Sequence, residues 1–284
     1  MNLQSFSVKQ DILFGIGAVA KLPEKMKELK GKKALLVSDP GLIEAGTTGK
    51  IEKILKDAGI DYAVFSHIEP DPGCWIVHEC RDRIMEENCD ILVALGGGSA
   101  MDTAKSASII GYTGKRIHDY WGYYKPVDNE TIPVIAIPTT AGTGSEVTRN
   151  TVITDEEHYK MVILNDKMLP EVALLDPEMI MTCPVSVAAA SGLDAMIHAV
   201  ECYLSDLATP FSDAVAEKAM ELIGPALPRF VANRKDVQAA SDMLMGSTLA
   251  GITLSLCLPT QAHALSHPLT GYYGISHGMA NAML

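Results

Sequence analysis

Compact apolar runs that end in turn residues, each followed by a helical pattern, fill the first part of this chain and constrain its fold more than any other feature. "KALLVSD" (33–39) is such a run, and a helical pattern follows at about 46–58. "YAVFSHI" (62–68) precedes a second helical stretch at about 75–88. "DILVALGGGS" (90–99) runs through a glycine turn into "AMDTAKSASIIG" (100–111), and "IPVIAIPTT" (132–140) is a fourth run. Runs too short for helices and apolar throughout suit strands buried on both faces. Their alternation with helices predicts an open, mostly parallel sheet covered on both sides. "TVITDEEHYKMVILND" (151–166) reads as two further strands around a turn, antiparallel to each other.

After Pro184 the period changes. Residues 185–205, 210–231 and 237–256 form three successive helical patterns rich in Ala, Leu and Met, with no strand pattern after them. Two domains are therefore expected: an α/β dinucleotide-binding domain over 1–182 and an all-α helical domain over 183–284. The formal net charge of −12 leaves no basic surplus to neutralise phosphates, which argues against nucleic acid or an anionic membrane as partner. No apolar run approaches transmembrane length, the N-terminus has no signal-peptide pattern, and the six scattered cysteines form no C-x-x-C pair. A cytoplasmic protein with free thiols in or near its core is expected. "KLPEKMKELKGKK" (21–33) reads as the solvated face of a helix followed by a turn. The closing "HGMANAML" is a helix-forming pattern without a cap, as in a chain truncated from a longer one.

Three segments could meet a nucleotide. Gly96, Gly97, Gly98 and Ser99 stand between a strand and a helix, where backbone can approach a phosphate and the helix N-terminus offers free N–H groups. Asp102 would lie in the first turn of that helix. A plain strand-to-helix turn explains the same letters, and the spacing is not G-x-G-x-x-G. Asp39 ends the first run, at the sheet edge where ligands bind; it can accept hydrogen bonds from a ribose or simply cap the turn before Pro40. "PTTAGTGSEVTRN" (138–150) carries Thr139, Thr140 and Thr143, able to wrap a nucleotide or to serve as a linker.

Histidines set the second theme. "QAHALSHPLTGYYGISHG" (261–278) holds His263, His267 and His277; the first two share a helical face, and the third follows a loop marked by Gly271 and Gly274. "GLDAMIHAVECY" (192–203) places Asp194 and His198 one turn apart. A surface or capping pair is the ordinary reading of that spacing. One carboxylate and three imidazoles can also chelate Fe²⁺, Zn²⁺, Co²⁺ or Ni²⁺, and the lack of Cys ligands points to a catalytic site rather than a closed structural one.

Together "GGGSAMDTAK", "PTTAGTGSEVT", "GLDAMIHAVECY" and "HALSHPLTGYYGISHGMANA" resemble the iron-containing (group III) alcohol dehydrogenase family, and the resemblance runs from "ILFGIGAVAKLPE" to the last residue. It implies an N-terminal dinucleotide-binding domain, a helical C-terminal domain and a metal between them. Asp194, His198, His263 and His277 are the implied metal ligands, with His267 beside the metal but not bound to it. The implied cofactor contacts are Asp39, Asp71, Gly96, Gly97, Gly98, Ser99, Asp102, Thr139, Thr140, Thr143, Asn150 and Lys160. Where members commonly have Asn-Pro, this chain has Asp71-Pro72, which adds a negative charge near the expected nicotinamide or ribose contact. Asp39 favours NAD over NADP, because NADP-using members tend to have a small residue there.

The implied activity is interconversion of a primary alcohol or diol and its aldehyde, with NAD and Fe²⁺ (or Zn²⁺), in a homodimer or higher homo-oligomer. His267 is then the proton-handling catalytic residue. Two alternatives stand beside it: a zinc-dependent glycerol dehydrogenase-like polyol oxidation, and a non-catalytic assembly module of a larger dehydrogenase.

Overall fold

The computed structural model describes residues 7–257, 260–273, 275 and 277–284. In chain order its elements are β1 (Asp11–Phe14), α1 (Leu22–Glu28), β2 (Lys33–Val37), α2 (Pro40–Glu44), α3 (Thr47–Asp57), β3 (Asp61–Phe65), α4 (Cys74–Glu87), β4 (Ile91–Gly96), α5 (Gly98–Ile110), β5 (Gly122–Tyr123), β6 (Val134–Pro138), β7 (Asn150–Thr154), β8 (Lys160–Leu164), β9 (Val172–Leu175), α6 (Pro177–Ile180), α7 (Val185–Leu204), α8 (Pro210–Ala232), α9 (Val237–Leu256), α10 (Gln261–Tyr273) and α11 (His277–Ala282).

Six strands pair in parallel in the order β1-β9-β6-β4-β2-β3. All six residues of β4 are buried. Leu92 and Ala94 pack into the core with residues of α4 and α5, while Ile91, Val93 and Leu95 face α1 and α3. The continuous apolar run is thus the mark of a strand covered twice, and each such side chain removed from water contributes roughly 1.5–3 kcal/mol. β1 and β9 are additions to the expected strands. Each is only four residues long, below the length at which periodicity separates a strand from a helix turn. A smaller sheet, β5-β8-β7, contains the expected antiparallel pair, with Val152 opposite Val162.

From β2 the chain adds β3 on one side, then crosses back to add β4, β6 and β9 on the other. The reversal opens a crevice at the carboxyl ends of β2 and β4, the place where open sheets of this kind take ligands. Asp39 and the glycine turn follow those two strands directly.

Helices α7, α8 and α9 pack on one another around Ala195, Ala199, Ala219, Ile223, Met243 and Leu244. Contrary to the sequence expectation, α7 is long and apolar enough to cross a membrane, with 20 residues and a mean hydropathy of 1.2 over its most apolar window. It also buries Asp194, His198 and Glu201 and packs against α8, α9 and α11, which accounts for its composition without a bilayer. All six cysteines are buried and free, as expected. The loop anticipated at Gly271 is absorbed into α10, which runs on to Tyr273, and Gly274 lies outside the described residues.

Candidate metal and nucleotide site

The metal candidates come from three helices. On α7, Asp194, His198 and Glu201 recur at i, i+4 and i+7, one face of the helix. α10 supplies His263, and α11 supplies His277 and, one turn later, Asn281. Gly278 lets α11 approach α7 so closely: a Cβ there would stand 2.1 Å from the carbonyl oxygen of Ala190. No side chain fits between the two backbones at that point, and His277 is thereby carried to Asp194.

Donor atoms of Asp194, His263 and His277 all lie within 4.8 Å of one another. Nε2 of His263 is 3.6 Å and Nε2 of His277 3.8 Å from Oδ1 of Asp194. Bonds of about 2.0–2.2 Å in a tetrahedral site put ligand atoms roughly 3.3 Å apart, so these spacings need only a slight contraction. The same three atoms converge on Nδ2 of Asn281, at 2.7, 3.1 and 3.3 Å. An amide nitrogen has two protons for those three acceptors, whereas one divalent cation serves all three. His198, the fourth expected ligand, is buried and stacks on His263 with ring centroids 4.5 Å apart, but it stands outside the three-residue group of ligand atoms within 4.8 Å of one another.

The electrostatics suit ligation. Burial pushes the Asp194 carboxyl up, but His198, the His263 hydrogen bond and His277 outweigh it and hold the group well below the usual carboxylate range. Burial pulls the His198 imidazole down to about 4, against the opposing pull of Asp194, and also lowers His277. Both rings are thus neutral near pH 7 and offer lone pairs. At His263 burial acts downward too, but hydrogen bonds to Asp194 and Glu201 prevail and raise it. Another donor cluster, Cys74–His118–Glu156, is less suited. Its exposed carboxylate is engaged by Arg116 at 2.7 Å and by His118 at 2.8 Å, and burial raises the Cys74 thiol to about 11, away from the thiolate that binds metals.

On the nucleotide side, the glycine turn and the threonine loop touch. A Cβ on Gly97 would meet Thr140 Oγ1 at 3.1 Å, and one on Gly98 would meet Thr143 Cγ2 at 2.9 Å. Asp39 makes its cap: Oδ1 accepts from the Leu42 amide at 3.0 Å, and the carboxylate points to the Gly96 side of the crevice. Asp102 corrects the sequence reading. Helix α5 starts at Gly98 with Gly97 as its N-cap, so Asp102 falls beyond the first turn and is not placed to meet the helix dipole. Its oxygens instead accept from Ser145 Oγ at 2.7 Å and from the Val152 amide at 2.9 Å, tying α5 to the loop and to β7.

Lys105, one turn beyond Asp102, is fully buried and was not anticipated. Its Nζ donates among Ser145 O, Ser145 Oγ, Thr148 Oγ1 and Asn150 O, between 2.7 and 3.2 Å. Thr139 is buried, and its amide donates to Gly96 O. Asn150 and Lys160 open β7 and β8, and Lys160 pairs with Asp71. Asp71 has a φ of 53°, a left-handed conformation that Asn and Asp tolerate better than other side-chain-bearing residues, so the exchange of Asn for Asp keeps the turn. The charges of Lys160 and Asp71 both act on the His277 imidazole, the first lowering and the second raising it. His267 belongs to α10, but its side chain lies outside the described residues.

Glu201 and Asn281 were also missed. The signal for each was present: Glu201 continues the Asp194–His198 face by one further turn, and Asn281 follows His277 by four residues.

Comparison with known proteins agrees with this architecture. Residues 9–177 match the family "Iron-containing alcohol dehydrogenase", and residues 188–284 match "Fe-containing alcohol dehydrogenase family, C-terminal". The NAD-dependent methanol dehydrogenase of Bacillus methanolicus is 39% identical over 282 residues, covering 99% of this chain and 74% of that protein. The crystal structure of a 1,3-propanediol oxidoreductase superposes with a TM-score of 0.95 at 38% identity, covering 99% of this chain and 74% of the other. That of sulfoacetaldehyde reductase from Bifidobacterium kashiwanohense, in complex with NAD+, gives 0.94 at 32% identity, covering 100% and 75%. The chain belongs to the iron-containing alcohol dehydrogenase family.

Proposed function

We propose that this chain is an NAD-dependent, divalent-metal enzyme that interconverts a primary alcohol or diol and its aldehyde. The observation that carries the reading is the convergence of Asp194, His263 and His277 on one point, with His198 stacked beside them. On this reading residues 1–182 hold the nucleotide and residues 183–284 hold the metal. NAD as cofactor is supported by Asp39 at the crevice, by the NAD-dependent methanol dehydrogenase relative and by the NAD+ complex of the sulfoacetaldehyde reductase. Fe²⁺ is taken as the resident ion on family grounds, since one carboxylate and three imidazoles suit Zn²⁺ equally.

The chemistry of a divalent cation at this place is Lewis acidity toward an alcohol or carbonyl oxygen, and that of the nicotinamide is to take up or give back the hydride. The protein's part is placement. The α5 N-terminus and the glycine turn present backbone N–H groups to the diphosphate, with Thr139, Thr140 and Thr143 alongside. The Asp39 carboxylate accepts from the adenosine ribose and repels a 2′-phosphate. Asn150 and the Lys160–Asp71 pair stand at the nicotinamide end, on the side toward His277. His267 exchanges the alcohol proton with solvent, a role that rests on its sequence position one turn from His263. The buried free thiols fit a reducing cytoplasm, and a homo-oligomer is the proposed assembly.

The test is metal analysis of anaerobically purified protein, followed by oxidation of a panel of primary alcohols and diols with NAD and with NADP. Near one Fe²⁺ or Zn²⁺ per chain and turnover with NAD are expected. Full turnover after complete removal of the metal overturns the reading.

A further inference from the structure

Glu201 lies outside the set of expected ligands, yet it is the most heavily engaged carboxylate around them. It is buried on α7, two turns from Asp194. Oε2 meets Nδ1 of His263, and Oε1 accepts from Thr260 Oγ1 and from the Ala262 amide, each at 2.7 Å. With Oε1 taken by those two donors, Oε2 is the oxygen left to meet the ring. An ionised carboxylate only accepts, so the proton in the contact sits on His263 Nδ1. Nε2, which faces Asp194 and meets the donor Nδ2 of Asn281 at 3.1 Å, is left as the acceptor and carries the lone pair.

We propose that Glu201 is a positioning residue for the metal centre: it holds His263 in the Nδ1-protonated tautomer and at one ring angle, so that Nε2 is presented to the cation. The inference rests on the reading of His263 as a ligand. Partners of this kind fix the tautomer and orientation of a ligating imidazole and raise its basicity, and their removal typically weakens metal affinity or activity by 10–100-fold. Glu201 does this while also accepting a free N–H in the first turn of α10, so the helix that carries His263 is anchored by the same side chain that orients its ring.

The experiment measures the dissociation constant of Co²⁺ and of Zn²⁺, by competition with a chromophoric chelator, in metal-stripped protein. The wild type is compared with Glu201→Ala, Glu201→Gln, Glu201→Asp, Thr260→Val and His263→Ala, and thermal unfolding of each metal-free variant reports the fold. Glu201→Ala should weaken cation binding by about 10–100-fold. Glu201→Gln, which keeps an acceptor for Nδ1–H, should recover part of that loss. Thr260→Val removes only a bond of the helix start and should change affinity less than about threefold, on the scale set for losing the carboxylate. Nitrogen-15 spectra of histidine-labelled protein should show one Nδ1-protonated ring in the wild type that becomes a tautomer mixture in Glu201→Ala. Wild-type affinity in Glu201→Ala alongside loss in His263→Ala overturns this inference alone, as does an equal loss in Thr260→Val. Wild-type affinity in His263→Ala overturns the ligand reading beneath it. Where Glu201→Ala does not fold, Glu201→Asp takes its place: it keeps the charge, withdraws the oxygen and should also bind the cation more weakly, and wild-type affinity in it overturns the inference.

Discussion

The nucleotide half and the metal half hold their candidate groups in opposite ways. Around the crevice of the sheet the contacts are made largely by backbone: a glycine turn, a helix start, and a loop secured from behind by Lys105 and Asp102. Around Asp194 the contacts are side-chain atoms converging from three helices. A diphosphate is large and can be shared among many N–H groups, so no single side chain decides its binding. A cation is a point, and each ligand atom is a large fraction of its shell. The first half should therefore fail gradually and the second abruptly.

The largest effect tests that contrast directly. Replacing Asp194, His198 or His277 by Ala should strip the metal and abolish turnover while NAD still binds, because a four-ligand site short of one ligand binds far more weakly. Mass spectrometry for metal and fluorescence titration for NAD are the readouts. His267→Ala, by contrast, should keep its metal and lose about 10²–10⁴-fold in kcat. Full occupancy in the His277 variant, or loss of metal in the His267 variant, breaks the comparison.

Lys105→Met is next in size. Removing one member of a buried charged network typically costs about 3–5 kcal/mol, and here it also frees the loop behind the nucleotide. Burial pulls the Lys105 ammonium down to about 8, with Asp102 and Glu146 pulling the other way. The unfolded chain therefore holds that proton more tightly than the folded one, and between about pH 8 and the ordinary lysine value near 10.4 folding gains stability as pH rises. Urea unfolding across that window should show the gain in the wild type relative to Lys105→Met. Parallel pH profiles would remove Lys105 from the account.

The smallest effect concerns Asp39. Asp39→Gly removes the carboxylate but costs the short helix α2 only a few tenths of a kcal/mol, because Gly is itself an acceptable cap. The preference for NAD over NADP in kcat/KM should fall by about tenfold, or ~1.4 kcal/mol. Equal use of both cofactors by the unmodified enzyme sinks the ribose assignment and leaves Asp39 a cap.

These contrasts also explain what could be read beforehand. Strands β2, β4 and β6 were legible because each is a run buried on both faces, β3 because its short apolar run ends in turn residues although it lies at the sheet edge with an alternating, part-exposed pattern, and α7 to α9 because Ala, Leu and Met recur at helical spacing. β1 and β9 were not, since four residues carry no period. Asp194 and His198 announced themselves by i, i+4 spacing, and His263 and His277 by crowding. Glu201 was hidden because an acid on an apolar helix reads as surface, and its partner His263 is 62 positions away. Lys105 was hidden for the mirror reason: a lysine in a helix is expected in water, and only the fold reveals four acceptors closed around it. Asp102 was placed in the first turn because the helix was read as starting at Ala100, whereas it starts two residues earlier, at Gly98.

One contact carries a consequence for how such an enzyme can change. Gly144, at a φ of +60°, lies with its backbone against Gly251 of α9, where a Cβ would come within 2.5 Å of the Gly251 Cα. A Cβ on Gly251 would meet the Gly144 carbonyl oxygen at 2.7 Å. At this seam the nucleotide loop and the helices meet main chain to main chain, with no side chain between them to shrink or grow. The spacing of the loop and α9 is therefore set by two bare peptide units. Any substitution there acts as a wedge, not an adjustment. Variation in how the two halves meet has to come from positions that carry side chains, while this spacing stays constant.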